Sequence, residues 1–166
     1  GLAPGLKGAN QTSRPFTGDF AGDLLYATLA KFGYTEGQYK ACADDGLTLR
    51  NVLITNAVRC VPPQNNTIGE EEQNCRPFLI NQITRAPRLK IILALGLVAH
   101  NAVLSTFHKK RSAFKFSHGG QHSLGNDLGK EITLINSYHC SRYNTNTGRL
   151  TTDMFDDIFR KIAEIL

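Results

Sequence analysis

Three polar segments of this sequence contain the side chains best suited to chemistry. His139 and Asn56 each follow an apolar run, and Asp19 comes shortly after the aromatic Phe16. A histidine exchanges a proton near neutral pH, an amide offers a donor and an acceptor together, and a carboxylate can hold a water molecule. These groups can therefore stabilise a leaving group, read a hydrogen-bonding edge and position a nucleophile.

The elements that must position these residues alternate along the chain. Strands are predicted at residues 51–58, 89–95 and 131–138, and helices at residues 20–33, 69–85, 97–107 and 153–166. Residues 34–49 and the basic stretch after residue 107 are predicted to be loops. This order predicts one α/β domain over residues 1–166, with a parallel sheet covered on both faces. Ligands of such sheets bind beyond the carboxyl ends of the strands, where Asn56 and His139 lie.

Composition narrows the class of protein. Hydrophobic residues make up 41% and charged residues 20%, which is ordinary for a globular domain. The formal net charge is +5, which permits a polyanionic partner without requiring one. No apolar run is long enough to span a membrane and no secretory signal is visible, so we expect a cytoplasmic protein with reduced cysteines. Two disulfides are the alternative for its four cysteines.

Motifs of one known family occur in order over the whole chain. They read Gly1-Leu2-Ala3-Pro4-Gly5, Arg14-Pro15-Phe16-Thr17-Gly18-Asp19, Cys60-Val61-Pro62-Pro63-Gln64-Asn65 and Tyr138-His139-Cys140-Ser141-Arg142. Together they resemble the family 5 uracil-DNA glycosylases of the uracil-DNA glycosylase superfamily. The resemblance implies a three-layer α/β/α sandwich with a central, mainly parallel four-stranded sheet. It also implies that the first strand lies upstream of Gly1, in a segment that we expect to be missing from this sequence.

The resemblance implies a monofunctional DNA repair glycosylase of prokaryotic type. Such an enzyme, acting as a monomer, flips uracil or another deaminated base out of double- or single-stranded DNA and hydrolyses the N-glycosidic bond, which leaves an abasic site. A catalytically weak nucleic-acid-binding or damage-sensing module of the same fold is the alternative. A generic nucleotide-binding domain is disfavoured, because the sequence contains no G-x-x-x-x-G-K-[ST] loop.

The same resemblance implies roles for the residues of the base site. His139 resembles the histidine that donates to uracil O2, and Asn56 resembles the amide that reads the Watson–Crick edge. Phe16 resembles the aromatic residue on which the flipped base stacks. Ala3 and Asn65 are further expected base contacts, and Asn65 is also a second candidate for positioning the water. The structural alternatives are a core aromatic for Phe16 and a loop-capping amide for Asn56.

The residue that handles water differs from that of other families in the superfamily. Those families have an acid or amide in the first motif, where this chain has Leu2 and Ala3. The resemblance therefore implies that Asp19 holds or activates the water. Asp19 also stands where the helix over residues 20–33 begins, and aspartate is a favoured N-cap. The two roles are compatible.

The loop after His139 resembles the segment that the family inserts into the minor groove of DNA. The expected DNA contacts are Ser141, Arg142, Asn144 and Arg149, with Lys109 and Lys110 as phosphate contacts in the basic loop. An ordinary solvated turn is the alternative in both places. Cys140 stands where the superfamily more often has proline.

Two cysteines resemble ligands of a [4Fe–4S] cluster. Cys60 and Cys75 match the last two of the four ligands in the family. The first two belong to an N-terminal C-x-x-C motif that this sequence lacks, and Cys42 and Cys140 are not placed to replace it. We therefore expect the remaining ligands upstream of Gly1; a protein without the cluster is the alternative.

Overall fold

The computed structural model describes residues 1–125, 129 and 131–166, except for the side chain of Asn65. The helices are α1 (Ala9–Thr12), α2 (Phe20–Lys31), α3 (Gly69–Thr84), α4 (Leu97–Thr106), α5 (Arg142–Asn146) and α6 (Thr152–Ile165). The strands are β1 (Thr35–Glu36), β2 (Thr48–Leu49), β3 (Ile91–Leu95), β4 (Gln121–Ser123) and β5 (Thr133–Ser137). A short 3₁₀ helix covers Pro63–Asn65.

The central sheet of the described residues is mixed. Its strand order is β3-β5-β4, and β1 and β2 form a separate antiparallel hairpin. β3 runs parallel to β5, with Leu95 opposite Ser137, and β4 runs antiparallel to β5. In this part of the chain the sheet therefore has three strands, not the four mainly parallel strands expected, and β3 is one of its edges.

Helices cover both faces of this sheet. Successive side chains of a strand point to opposite faces. Leu95 and Ile135 lie in a core cluster with buried residues of α2 and α6, whereas Ala94 and Leu134 lie in a second cluster with residues of α3 and α4. The alternation thus gives an α/β fold in which the sheet is the middle layer.

Most of the predicted elements are present with small shifts at their ends. All four predicted helices form, and Pro77 lies within α3 without ending it. The predicted strands at 89–95 and 131–138 correspond to β3 and β5. No helix among the described residues is long and apolar enough to cross a bilayer.

The predicted strand over residues 51–58 does not form a strand here. It has the β-rich apolar composition of a strand, but strand structure needs a partner that forms a ladder of hydrogen bonds. The segment bonds only briefly to the N-terminal residues: Ala57 N donates to Gly1 O at 2.9 Å and Val58 N to Leu2 O at 2.8 Å. The segment nevertheless places Asn56 beside the carboxyl end of β5, in the same cavity as His139.

Three short strands lie where the sequence predicted loops. β4 is only three residues long and polar, so it has no apolar alternation that a sequence pattern could reveal. It forms because β5 offers it a free edge, with His122 opposite Leu134. β1 and β2 lie within residues 34–49 and are two residues each.

Candidate active site

A cavity of about 320 Å³ lies where the chain leaves β5, between the N-terminal motifs and the loop after His139. Seven of the residues predicted to form the site line it: Ala3, Phe16, Asp19, Asn56, His139, Ser141 and Arg142. They come from four separate segments of the sequence. The convergence predicted from the strand ends is therefore found in the structure.

His139 follows β5 by two residues and enters the cavity as a half-buried side chain. Its ring centroid lies 5.8 Å from that of Phe16, with the two planes tilted by 32°. Burial lowers the pKa of His139 to about 4. The imidazole is therefore neutral near pH 7 and can donate a single N–H without carrying a positive charge.

Asn56 lines the cavity and carries an unsatisfied hydrogen-bond acceptor. The residue is 9% exposed, and its Oδ1 atom is buried without a hydrogen-bond partner among the described residues. A buried polar atom without a partner costs about 1–3 kcal/mol. The arrangement is suited to a ligand that brings an N–H donor to this atom.

Asp19 has a structural task as well as a place in the cavity. Its Oδ1 accepts a hydrogen bond of 3.2 Å from Gly22 N, which caps α2 as the sequence predicts. The other carboxylate oxygen, Oδ2, lies against glycine backbone, and a Cβ added to Gly8 would stand only 2.7 Å from it. Position 8 therefore needs glycine so that the carboxylate can approach the backbone closely.

Phe16 forms one wall of the cavity. Its side chain is buried, with 6% exposure, and its backbone has a φ of 57°. Its carbonyl oxygen lies so close to α2 that a Cβ on Gly22 would be 1.7 Å away. The ring is both a core residue and a cavity wall, so the two interpretations of this aromatic are compatible.

Comparison with known proteins identifies the family. Residues 1–163 match the family model of the uracil DNA glycosylase superfamily. The chain belongs to this superfamily. It is 41% identical to the type-5 uracil-DNA glycosylase of Thermus thermophilus over 99% of this chain and 73% of that protein. The type-5 uracil-DNA glycosylase of Pyrobaculum aerophilum is 39% identical over 98% of this chain and 69% of its own length.

A second group of relatives is less similar. The type-4 uracil-DNA glycosylase of Pyrobaculum aerophilum is 33% identical over 84% of this chain and 63% of that protein. The resemblance to family 5, rather than to the superfamily in general, is thereby confirmed.

The loop after His139 is ordered by a short capped helix in this superfamily member. Ser141 Oγ accepts from Asn144 N at 3.4 Å, and Asn144 Nδ2 donates to His139 O at 2.9 Å. Asn144 therefore acts on the peptide of His139 rather than lining the cavity. Tyr143, on α5, is 70% exposed.

Two arginines near this loop lie over aromatic rings. Arg142 Cζ is 5.0 Å from the ring centroid of Phe20, and Arg149 Cζ is 4.6 Å from that of Tyr138. Arg142 and Phe20 line the cavity, whereas Arg149 does not. Phe20 was not among the predicted site residues, although an aromatic directly after a candidate N-cap, with 36% exposure, is an unusual surface residue.

The remaining predicted residues lie apart from the cavity lining. Lys109 is half-buried and Lys110 is exposed, both just beyond α4. The side chain of Asn65 is outside the described residues, so its contact with the base stays a prediction. The cysteine at 140 is completely buried, and burial raises the pKa of its thiol to about 12, so it is an inert core residue.

Cys75 lies on α3, and its sulfur contacts the backbone next to Cys60. Arg59 N donates to Cys75 Sγ at 3.4 Å, which brings this sulfur beside the residue that precedes Cys60. Cys60 is exposed, Cys75 is half-buried, and both are free thiols. Within the described part of the chain no three histidine, cysteine or acidic residues are grouped to hold a metal. A [4Fe–4S] cluster takes four thiolates, so these two cysteines alone cannot hold one.

Proposed function

We propose that this chain excises uracil from DNA by hydrolysing the N-glycosidic bond and leaves an abasic site. The observation that carries the proposal is the cavity in which the unpartnered Oδ1 of Asn56 and the neutral imidazole of His139 occur together with Phe16 and Asp19. The superfamily match and the type-5 relatives support the same activity.

His139 stabilises the leaving base. As the glycosidic bond breaks, negative charge develops on the pyrimidine oxygens, and a preorganised donor at that point lowers the barrier. The lowered pKa of His139 keeps the ring neutral, so its N–H donates to O2 of the departing base and retains its proton. No proton has to reach the base before the bond breaks.

Asn56 and Phe16 select the base. Uracil offers an N3–H donor that matches the unpartnered Oδ1 of Asn56, and the amide nitrogen then faces O4. Cytosine has no N–H at this position. The ring of Phe16 supplies a stacking surface, and Ala3 keeps the opposite part of the cavity small and apolar.

Asp19 positions the water. Its Oδ1 is engaged by Gly22 N, which holds the carboxylate in one orientation and leaves Oδ2 beside the first-motif glycines. A water held there would attack the sugar carbon as the bond to the base breaks. The attack forms the new C–O bond, and the water loses a proton to the carboxylate or to solvent.

The loop after His139, residues 141–149, forms the rim of the cavity and binds the DNA strand. Arg142 and Arg149 are oriented by the aromatic rings beneath them, and Ser141 and Asn144 shape the loop between them. Lys109 and Lys110 add positive charge beyond α4. Neutralising phosphates in this way gives sequence-independent affinity, which suits an enzyme that searches for a damaged base.

We further propose that Cys60 and Cys75 supply two thiolates to a [4Fe–4S] cluster, with the other two from the N-terminal motif that the family resemblance implies. The short distance from Arg59 N to Cys75 Sγ supports this, because amide donors are usual around cluster sulfurs. Such a cluster would tie residues 59–75 to the N-terminal part of the fold. Absorbance near 400 nm in the full-length protein, lost in Cys75→Ser, is the expected result.

A groove beside β3 supports a proposal about the fourth strand that the family resemblance implies. A second cavity of about 280 Å³ lies along the free edge of β3 and is walled on its other side by residues 51–55. Gly1 and Leu2 already make strand-like hydrogen bonds to residues 55, 57 and 58. We propose that a parallel strand leading into Gly1 fills this groove in the complete fold.

The decisive experiment is a single-turnover excision assay. A duplex with one U·G pair, followed by alkaline cleavage at abasic sites, should yield the shortened strand, and the same duplex with a C·G pair should not. Binding of the U·G duplex without cleavage would instead support a damage-sensing module. A protein that neither binds nor cleaves would contradict both functions.

A further inference from the structure

Phe16 is held in a backbone conformation that a phenylalanine rarely adopts. Its φ of 57° is in the left-handed region, where a side chain with a Cβ is strained. Such strain persists only when the surrounding structure over-determines it, and it is typical of functional sites. Because the strained residue lines the cavity, the contacts that hold its backbone also determine the shape of the cavity wall.

Side chains from two other segments bind the backbone on either side of this residue. Tyr39 Oη donates to Phe16 O at 3.2 Å, and Tyr26 Oη donates to Pro15 O at 2.7 Å. Arg14 Nε donates to Thr17 Oγ1 at 2.7 Å. The turn around Phe16 is thus fixed from three directions.

The Arg14 guanidinium is anchored in turn to the loop that precedes β2. Two of its nitrogens bind the two carboxylate oxygens of Asp45 at 2.7 Å each, and one also donates to Cys42 O at 2.8 Å. The Asp45 side chain has 0% exposure and also accepts from the backbone nitrogens of Lys40 and Leu47. Arg14 beside it holds the pKa of this carboxyl well below its usual range.

The rings of the two tyrosines complete the support. Tyr26 and Tyr39 stack at 4.4 Å with an interplanar angle of 14°. The Arg14 guanidinium lies 5.3 Å from the first ring and 5.5 Å from the second. A charged group with a bidentate carboxylate and two aromatic neighbours has little freedom to move.

We propose that Arg14, Asp45 and Tyr39 are positioning residues, which hold the strained Phe16 so that its ring forms a preformed stacking wall for the flipped base. The role extends the proposed function and rests on it. None of the three lines the base cavity, so they act through Phe16. Residues 34–49, which carry Tyr39 and Asp45 and contribute little secondary structure, thereby acquire a function.

Tyr39→Phe is the variant of choice, because it removes one hydroxyl and keeps the ring stack. We expect a roughly 2- to 10-fold fall in the single-turnover excision rate at saturating enzyme, as befits one hydrogen bond. The inhibition constant for free uracil should rise by a similar factor, while affinity for an undamaged duplex stays the same. Tyr34→Phe, a hydroxyl deletion in the same segment outside the Phe16 hydrogen bonds, is the matched control.

A double-mutant cycle with Phe16→Leu separates positioning from general stability. If Tyr39 acts through the Phe16 ring, Tyr39→Phe should have no further effect on the excision rate once that ring is gone. Arg14→Lys, which keeps the charge but loses the bidentate geometry, should reproduce the loss of uracil affinity.

Two outcomes overturn the inference, and they can be told apart. If the wild type excises uracil but the Tyr39→Phe and Phe16→Leu effects multiply, the positioning role is wrong and the proposed function stands. If the wild type releases no uracil, the proposed function fails and the positioning role fails with it.

Discussion

The cavity and its rim differ in how firmly their side chains are held. Phe16 is 6% exposed and its backbone is fixed by several partners, and Asp19 is held by the N-terminus of α2. On the rim, Tyr143 is 70% exposed, and Arg142 and Arg149 are exposed side chains that lie over aromatic rings. In the proposed function, the chemistry therefore depends on a few immobilised groups, whereas DNA affinity is shared among several exposed ones. Single substitutions should therefore have large effects in the cavity and small effects on the rim.

The largest effect is expected for His139→Ala. Loss of one preorganised donor to a developing anion typically lowers the rate roughly 100- to 1000-fold. Affinity for uracil-containing duplex should change little, because the substitution leaves the proposed phosphate contacts of the rim intact. His108→Asn, at an exposed histidine with a φ of 51°, serves as the control and should retain full excision. An excision rate of His139→Ala within about threefold of wild type would show that His139 does not stabilise the leaving base.

Asp19 allows its two tasks to be separated. Asn is as good an N-cap as Asp but has no charge, so Asp19→Asn should lower excision more than about tenfold while the Tm stays near that of wild type. Asp19→Ala should lower excision as well, and it should also lose about 1 kcal/mol of stability with the cap. Single-turnover rates and thermal melts on both variants test this. Equal excision by wild type and Asp19→Asn would leave Asp19 with only the cap.

Asn56→Leu should weaken catalysis without weakening the fold. Removing an unpartnered buried oxygen relieves a desolvation cost, so the Tm should not fall. Uracil excision should drop by about 5- to 150-fold, the value of roughly 1–3 kcal/mol for a missing hydrogen bond in a buried site. A large fall in Tm would instead indicate that Asn56 mainly supports the loop.

Substitutions on the rim should have smaller effects on DNA binding, and these effects should be additive. Arg142→Ala and Lys110→Ala should each weaken DNA binding a few-fold and lower the slope of log K against log salt by about 0.9 for each phosphate that the variant no longer neutralises. The excision rate at saturating enzyme should be almost unchanged. Arg160→Ala removes the same charge from α6, where Arg160 pairs with Asp157, and should leave the salt slope as it is. If all three variants change DNA affinity and the salt slope equally, DNA binding depends only on the net charge of the protein.

Mild acid should affect stability before it affects catalysis. The pKa of His139 is lowered to about 4 from an ordinary value of 6.5, so the unfolded chain binds a proton there that the folded chain does not. The free energy of unfolding should therefore fall as the pH drops from about 6.5 towards about 4, and His139→Ala should lose this part of the dependence. Excision should stay level from pH 8 to about pH 5.5. A decline in the excision rate with an apparent pKa near 6.5 would contradict a neutral donor.

Local patterns predicted the parts of the fold that depend on neighbours in sequence. The apolar stripe of α6 and the β-rich run of β3 lie within a residue or two of their predicted ends. The strand predicted over residues 51–58, which does not form, and the unpredicted β4 show the limit of prediction from local sequence. A strand exists only beside a partner, and β4 forms because of β5, which lies ten residues further along the chain.

Motif order in the sequence by itself determined the family and the residues that meet in the cavity, because His139, Asn56, Asp19 and Phe16 stand in segments of recognisable type. Only the tertiary structure decided the protonation, hydrogen bonding and backbone conformation of these residues. The neutral form of His139 comes from burial, the unsatisfied Oδ1 of Asn56 from the surrounding atoms, and the fixed turn at Phe16 from Tyr39, Arg14 and Asp45. Burial and hydrogen bonding between distant segments exist only after the chain has folded, so no local pattern of residues encodes them.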